Sequence, residues 1–420
     1  MRGHVKAAAA IASGWAEQAL SLLRARCCIA GGGPAGMMLG FLLARAGVDT
    51  VVLEKHADFL RDFRGDTVHP STLQVMDELG LLEEFLRRPH QKMRQIAGQV
   101  GTQPIVIADF SHLPAAYAFI AFMPQWDFLD FIAQQARKLP GFRLLMRAEA
   151  TGLLEESGRV AGVRAETPDG PLEIRAELTV AADGRHSALR AQAGLEVEDF
   201  GAPMDVLWMR LSKRKDDPPN ALGRINGGKL LVTLDRGDYW QCAYVIPKGG
   251  NDALRARGIA AFREDIAAVA PFTRDRVGEL RSWEDVKLLA VQVNRLRRWH
   301  KAGFLCIGDA AHAMSPIGGV GINLAIQDAV AAANALAAPL RRGAPSDADL
   351  AAVQRRREFP TRMTQRMQLF LQRNVIGRVL ASGATPGIGL PVRLLQAFPV
   401  LRRIPARLIG MGFRPEHVRT

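Results

Sequence analysis

Cysteine is scarce in this 420-residue chain. The four present, Cys27, Cys28, Cys242 and Cys306, form no Cys-x-x-Cys pair and have no histidine cluster beside them. Neither a disulfide framework nor a metal site is expected from that pattern. Cys27, Cys28 and Cys306 fall in apolar strand-like runs, where a cysteine in a reducing compartment serves as a small buried hydrophobe. No uninterrupted apolar run reaches the about 18 residues of a membrane-spanning helix. The Ala-rich stretch before residue 26 has no cleavage site at the right distance for a secretory signal, so a cytoplasmic location is expected. Acid is scarce at one end. From Gln354 to Thr420 thirteen arginines meet only Glu358 and Glu416, so this tail carries +11 of the net +13 charge. The interleaved aromatics and known modules of nucleic-acid proteins are missing, and no nucleic-acid partner is expected. The chain also has no internal repeat.

What is present is a glycine turn in a telling context. Cys27-Cys28-Ile29-Ala30 reads as a strand, Gly31-Gly32-Gly33-Pro34-Ala35-Gly36 as a tight turn, and Met37 to Gly47 as a helix. A second strand, Val51-Val52-Leu53, ends on Glu54, with Lys55 next to it. This is the spacing of a dinucleotide-binding βαβ unit. Gly31 permits the turn, Gly33 lets the backbone approach a pyrophosphate, and Gly36 lets the helix pack closely on the strand. The helix N-terminus offers N–H groups and a positive dipole end to the phosphates. Glu54 is placed to accept hydrogen bonds from a ribose diol.

The rest of the chain divides by pattern. Residues 1–25 form an N-terminal extension. A discontinuous nucleotide-binding domain is expected from 26–90, 125–200 and 297–345. Segments 91–124 and 201–296, rich in short strands with glycine turns, form a second, mainly antiparallel sheet that faces the substrate. Residues 346–420 are helical and basic. A helix is expected from Ser71, as N-cap, to about Leu86, on the helical spacing of Leu73, Met76, Leu79, Leu82 and Phe85.

Two further motifs stand far from the first. One is Ala181-Ala182-Asp183-Gly184-Arg185. The other runs Gly308-Asp309-Ala310-Ala311-His312 and on through Pro316-Ile317-Gly318-Gly319-Val320-Gly321-Ile322-Asn323. With the glycine turn they resemble the class A flavoprotein monooxygenases, the para-hydroxybenzoate hydroxylase type, over about residues 26 to 345. The resemblance implies an α/β fold: a Rossmann-like FAD-binding domain, a second β-sheet domain and a helical C-terminal region. It implies FAD bound in extended form, with Gly31, Gly33 and Gly36 at the pyrophosphate and Glu54 at the adenosine ribose. Arg64 is implied at the phosphates, Gln125 near the ribityl chain, Asp309 at the ribityl and pyrophosphate region, and Asp183 at FAD and the nicotinamide nucleotide. The loop Pro316 to Gly321 is implied beside the isoalloxazine, where its N–H groups stabilise negative charge on reduced flavin. Pro34, Ala35 and Lys55 from the first motif, and Ile322 and Asn323 from the third, complete the candidate cofactor set. Plainer readings stand beside these: Arg64 as a surface arginine, Gln125 and Asp183 as helix caps, and His312 as a structural residue.

In that family NADH or NADPH reduces the flavin, and a flavin hydroperoxide then transfers oxygen from O₂ to the substrate, here expected to be an aromatic or polycyclic, quinone-like small molecule. The chemistry belongs to the cofactor, so no catalytic side chain is assigned. The missing second glycine fingerprint agrees with a family that has no separate nicotinamide domain. A flavin halogenase would carry Trp-x-Trp-x-Ile-Pro; Tyr244-Val245-Ile246-Pro247 lacks both tryptophans. An FAD-dependent reductase or dehydrogenase of the same fold is the main alternative, and a non-catalytic flavin-binding protein a remoter one. Trp208, Phe119, Phe122, Tyr239, Trp240 and Tyr244 either line an aromatic pocket or fill a sheet core. The basic C-terminal region either lies on an anionic membrane surface as a peripheral contact or docks on the core or on a second subunit of a homodimer.

Overall fold

The computed structural model describes residues 21–60, 67–218 and 222–420. Arg64 and residues 1–20 lie outside the described residues. Five parallel strands form the centre of the larger sheet, in the order Phe304–Cys306, Gly170–Ala181, Ser21–Ala30, Thr50–Glu54 and Phe142–Met146. The first strand is central: Cys27 sits opposite Leu178 on one side and Thr50 on the other. Such a strand is covered on both faces, which explains the near-continuous apolar run that follows Arg26. An antiparallel pair, Glu149–Glu156 and Arg159–Thr167, extends the sheet beyond Gly170–Ala181. Helices Pro34–Arg45, Gln125–Ala136 and Gly321–Arg342 share one large core with the sheet.

The second sheet has seven strands, in the order Lys287–Leu289, Met204–Ser212, Tyr239–Pro247, Lys229–Asp235, Leu222–Asn226, Gln95–Val100 and Gln103–Asp109. Every pairing is antiparallel except that of Leu222–Asn226 with Gln95–Val100. Its two faces carry different jobs, as the period-2 geometry of a strand allows. Leu207, Met209, Leu211, Trp240, Cys242 and Tyr244 pack under the helix Gly258–Val269. Met204, Val206, Ala243 and Val245 look the other way and meet Ile317, Ile376 and Leu380.

Several expected boundaries shift. The first strand begins at Ser21, inside the expected extension, because its long partner offers Leu172 to Ala176 for pairing with Ser21 to Ala25. The helix expected over Ser71 to Leu86 is two helices, Pro70–Glu78 and Leu82–Leu86, broken where Gly80 takes φ +71°. Its N-cap is His69, not Ser71; Pro70 takes the first helical position, where its missing N–H costs nothing. Part of 91–124 leaves the large sheet: Gln91–Met93 and Ile120–Phe122 join Thr67–Val68 in a small sheet of their own.

Among the described residues one helix, Ile317–Arg342, is long and apolar enough to cross a membrane, but 78% of that apolar window is buried inside the protein. It is a core helix. The helix Asp347–Leu371 packs beside it, started by a capping box between Ser346 and Asp349. A π-helical turn, Gln372–Ile376, then leads to the short helices Gly377–Ser382, Leu390–Ala397 and Arg403–Gly410.

Candidate active site

The glycine turn is built for close approach. Gly31 has φ +110°, and a Cβ there would lie 2.4 Å from the Ala182 carbonyl oxygen. A Cβ on Gly36 would lie 1.9 Å from the Gly31 oxygen. Both positions admit only glycine, for contact within the protein. Gly33 differs: a Cβ there would meet nothing within 4 Å. Gly33 is the N-cap of the Pro34–Arg45 helix, with no side-chain cap and no acid in the first turn. The turn therefore presents uncapped N–H groups beside open space, a cradle that fits a pyrophosphate. Pro34 opens the helix, and Ala35 is buried against Gly308, where a glycine Cβ would lie 3.1 Å away.

Glu54 is 7% exposed and works within the turn itself. Its Oε2 accepts the Gly32 N–H at 3.2 Å, and its Oε1 accepts the His56 N–H at 3.0 Å and lies 2.6 Å from His56 Nδ1. It thus fixes the shape of the glycine turn, a role beyond the expected ribose contact. Lys55 is turned away: its ammonium lies 3.7 Å from Glu149 in a surface pair.

The second and third motifs meet in space. Arg185 Nη2 lies 3.3 Å from Asp309 Oδ2, both side chains half-buried. Arg190 ties the two segments further, donating to the Ala310 carbonyl at 3.0 Å and the Arg185 carbonyl at 2.9 Å. The helix Ala188–Gln192 has Ser187 as its N-cap, and the Asp183 carboxyl takes up the backbone N–H of Leu189 in the same first turn. Asp183 stands at the strand end with its carboxyl held above the ordinary value. Desolvation by the packed chain is the largest cause, opposed by the Ser187 hydroxyl, backbone N–H groups and Arg190. Gln125 is the first residue of its helix and is half-buried.

The glycine loop follows Pro316, with Gly318 at φ +77° and Gly319 at φ +63°. A Cβ on Gly319 would lie 2.4 Å from Thr67 Oγ1. Gly321 and Ile322 begin the long helix, whose first turn again has no side-chain cap and no acid. The Asn323 side chain is fully engaged within the protein. Nδ2 donates to the carbonyls of Thr67 and Gly319 at 3.1 and 3.3 Å; Oδ1 accepts from His69 N–H and Thr72 Oγ1, both at 2.8 Å. Two donors and two acceptor sites are all an amide offers. Asn323 is the staple that joins the loop to the segment after residue 66.

Two supporting sets were not anticipated from sequence. Gln365, Gln368 and Gln372, almost fully buried on the C-terminal helices, grip the chain around Ser315. Gln365 Nε2 donates to the carbonyls of Asn294 and Ala313, Gln368 Nε2 to those of Ser315 and Ile317, and Gln372 Nε2 to Ser315 Oγ. Their spacing of three and four residues on one face of an arginine-rich helix is a signal that could have been read. Asp328 forms the other centre. It accepts Gly308 N–H at 3.1 Å, lies 2.6 Å from His312 Nε2, and accepts Arg357 Nε at 2.9 Å. Burial alone would raise its carboxyl; the charges and hydrogen bonds of His312 and Arg357 hold it below the usual carboxylate range. His312 is thus part of a buried scaffold under the Gly308-Asp309 turn.

These three segments bring a phosphate cradle, a paired carboxylate and a second uncapped helix start into one region of the fold. The model of the FAD-binding domain family matches residues 24–367. The chain belongs to that family. The chain is 36% identical over 383 residues to 6-methylpretetramide 4-monooxygenase of Streptomyces rimosus, covering 90% of this chain and 91% of that protein. It is 26% identical over 345 residues to para-nitrophenol 4-monooxygenase of Pseudomonas sp. strain WBC-3, covering 79% and 82%. The crystal structure of PqsL, a probable FAD-dependent monooxygenase of Pseudomonas aeruginosa, shares the fold with TM-score 0.72 at 22% identity, covering 86% of this chain and 99% of that one. As a member of this family the chain is a flavoprotein oxidoreductase, an FAD-dependent monooxygenase of the class A type.

Proposed function

We propose that this monooxygenase hydroxylates a polycyclic aromatic small molecule, with NADH or NADPH as reductant and O₂ as oxygen donor. Bound flavin supplies the redox and oxygen-transfer chemistry. The protein's part is to hold the cofactor, orient the substrate and keep water out. Gly33 and the first turn of Pro34–Arg45 would hold the pyrophosphate. The N–H groups at the start of Gly321–Arg342 would stabilise negative charge on the flavin ring.

The observation that carries the substrate reading is the apolar sheet face opposite the glycine loop. Val206, Trp208, Leu230, Val232, Ala243 and Val245 share that face, and Ile317 of the loop packs against it. Of these, Trp208, Leu230 and Val232 are only part-buried, an apolar edge of the face that suits a fused-ring substrate. It offers one polar handle: the Trp208 indole N–H is buried without a protein acceptor, a donor available to a substrate oxygen. Trp240 and Tyr244 belong to the opposite, helix-covered face and do not contribute. A relative 36% identical is named for a polyketide-like ring system, which supports the same class.

The test is to purify the yellow protein and follow NADH and NADPH oxidation in air with polycyclic and monocyclic phenols. Substrate-stimulated oxidation with a hydroxylated product supports the reading. Turnover that continues without O₂ would replace it with a reductase.

A further inference from the structure

The helix Leu390–Ala397 has no buried residue, which is unusual for a helix of a folded domain. With the segment after it, the helix presents a continuous apolar surface: Leu390 is 69% exposed, Leu394 41%, Phe398 55%, Val400 59% and Ile404 60%. The segment is nevertheless held in place from behind. Gln396 exchanges two hydrogen bonds with the Val106 backbone, at 3.1 and 2.9 Å. Upstream, Ala384 accepts Gly228 N–H at 3.0 Å and Thr385 Oγ1 accepts Gly227 N–H at 2.9 Å. Downstream, Ala406 and Ile409 pack into a small core with Ala108 and Phe110. The apolar side chains are thus aimed outward from a fixed base.

The charge around this surface is mostly positive, with Asp109 on the strand behind it facing Arg402. Arg393, Arg403 and Arg407 are exposed beside it, and residues 359–415 contain nine arginines and no acid. An apolar strip flanked by an excess of cations matches a lipid surface with anionic headgroups, where the side chains enter the interface and the arginines meet phosphates. A second copy of this chain fits less well. A two-fold contact places the same patch on itself, and would set Arg393, Arg403 and Arg407 against one another, an excess that Asp109, already facing Arg402, does not balance.

We propose that the surface from Leu390 to Ile404 docks this enzyme on an anionic membrane, as a peripheral contact that spans nothing. The docking is independent of the substrate reading, and its test does not use turnover to read binding.

The full-length holoprotein is co-sedimented with vesicles of phosphatidylcholine alone and of phosphatidylcholine mixed with phosphatidylglycerol. Binding is expected with the mixed vesicles, weak with the neutral ones, and reduced by added salt. The Leu390→Ser/Phe398→Ser/Ile404→Ser variant should lose at least about a hundredfold in partition. Arg403→Gln and Arg407→Gln should each lose about fivefold. These side chains are exposed, so the variants should keep the wild-type flavin spectrum and melting temperature. Failure of the wild type to bind mixed vesicles, or unchanged binding by the triple variant, overturns the proposal. So does a sedimentation-velocity dimer that the triple variant converts to monomer, which would assign the surface to a second copy.

Discussion

Gln368 reads the backbone of Ser315 as a strand would: its Oε1 accepts the Ser315 N–H at 3.2 Å while its Nε2 donates to the Ser315 carbonyl at 2.9 Å. The same Nε2 reaches the Ile317 carbonyl at 2.9 Å. A side chain of the C-terminal helix therefore sets the path of the loop that precedes Gly318 and Gly319. Replacing it with Leu strands buried backbone groups, each at about 1–3 kcal/mol. We expect Gln368→Leu to lower the melting temperature and weaken FAD binding, followed by calorimetry and by flavin fluorescence. Wild-type FAD affinity in the variant would show that the loop holds its shape without this amide.

The glycine turn gives a sharper pair. Gly36→Ala forces a methyl onto the Gly31 oxygen and should disrupt the turn, costing both stability and cofactor. Gly33→Ala meets only open space, and its φ of −74° is ordinary for alanine. It should leave the apoprotein within about 0.5 kcal/mol of wild type yet lower FAD affinity tenfold or more, on the order of 1.4 kcal/mol. Equal affinities would move the pyrophosphate away from this turn.

Asp328 is the shared partner of His312 and Arg357. Asp328→Asn leaves the Arg357 charge buried with Glu416 as its remaining partner, 3.4 Å away, and should cost about 3–5 kcal/mol. Because the folded carboxyl is held below its ordinary value, its stabilising effect is present above about pH 4, the unfolded value, and is lost as pH falls through the folded one. Thermal melts of wild type and variant should converge only in that acidic range.

His69 acts in a different window. It is fully buried, its Nδ1 lies 2.8 Å from the Ile409 carbonyl and so carries the proton, and burial pushes its pKa down to about 4. Below about pH 6.5 the unfolded chain binds a proton that the folded one refuses. Stability should therefore fall between pH 6.5 and 4 by up to about 3 kcal/mol. His69→Gln should flatten that slope in urea titrations; an unchanged slope would assign it to other groups.

Trp208 supplies the donor on the apolar sheet face. Trp208→Phe keeps an aromatic ring and removes the N–H, so KM for an oxygenated polycyclic substrate should rise about tenfold or less, with stability little changed. An unaltered KM would place the substrate elsewhere.

Much of this architecture was legible because it is written locally. A glycine turn between a strand and a helix, with Glu54 at the next strand end, needs only near neighbours to be recognised, and the alternating strands of 201–296 announce a sheet. What stays hidden in the sequence depends on partners distant along the chain. Asn323 stands at a helix start, where a ligand contact is the natural reading, but Thr67, His69 and Thr72 claim its amide across some 250 residues. Glu54 accepts from Gly32 as well as closing the second strand. The Gln365, Gln368 and Gln372 row is visible as a periodic pattern in its own stretch, but nothing there says which loop it holds. The expected break before residue 26 failed for the same reason: Ser21 to Ala25 pair with a strand about 150 residues away.

The order in which these parts emerge from the ribosome has a consequence. The cradle at Gly31 to Gly36 is synthesised long before the amides of Gln365 to Gln372, which set the path of the Ser315 loop. A stalled or prematurely ended product would own the entrance for flavin and lack the frame that closes on the ring. Cofactor capture in the cell should thus be a late event in biosynthesis, and fragments ending before the Asp347–Leu371 helix should come off translation without the yellow colour.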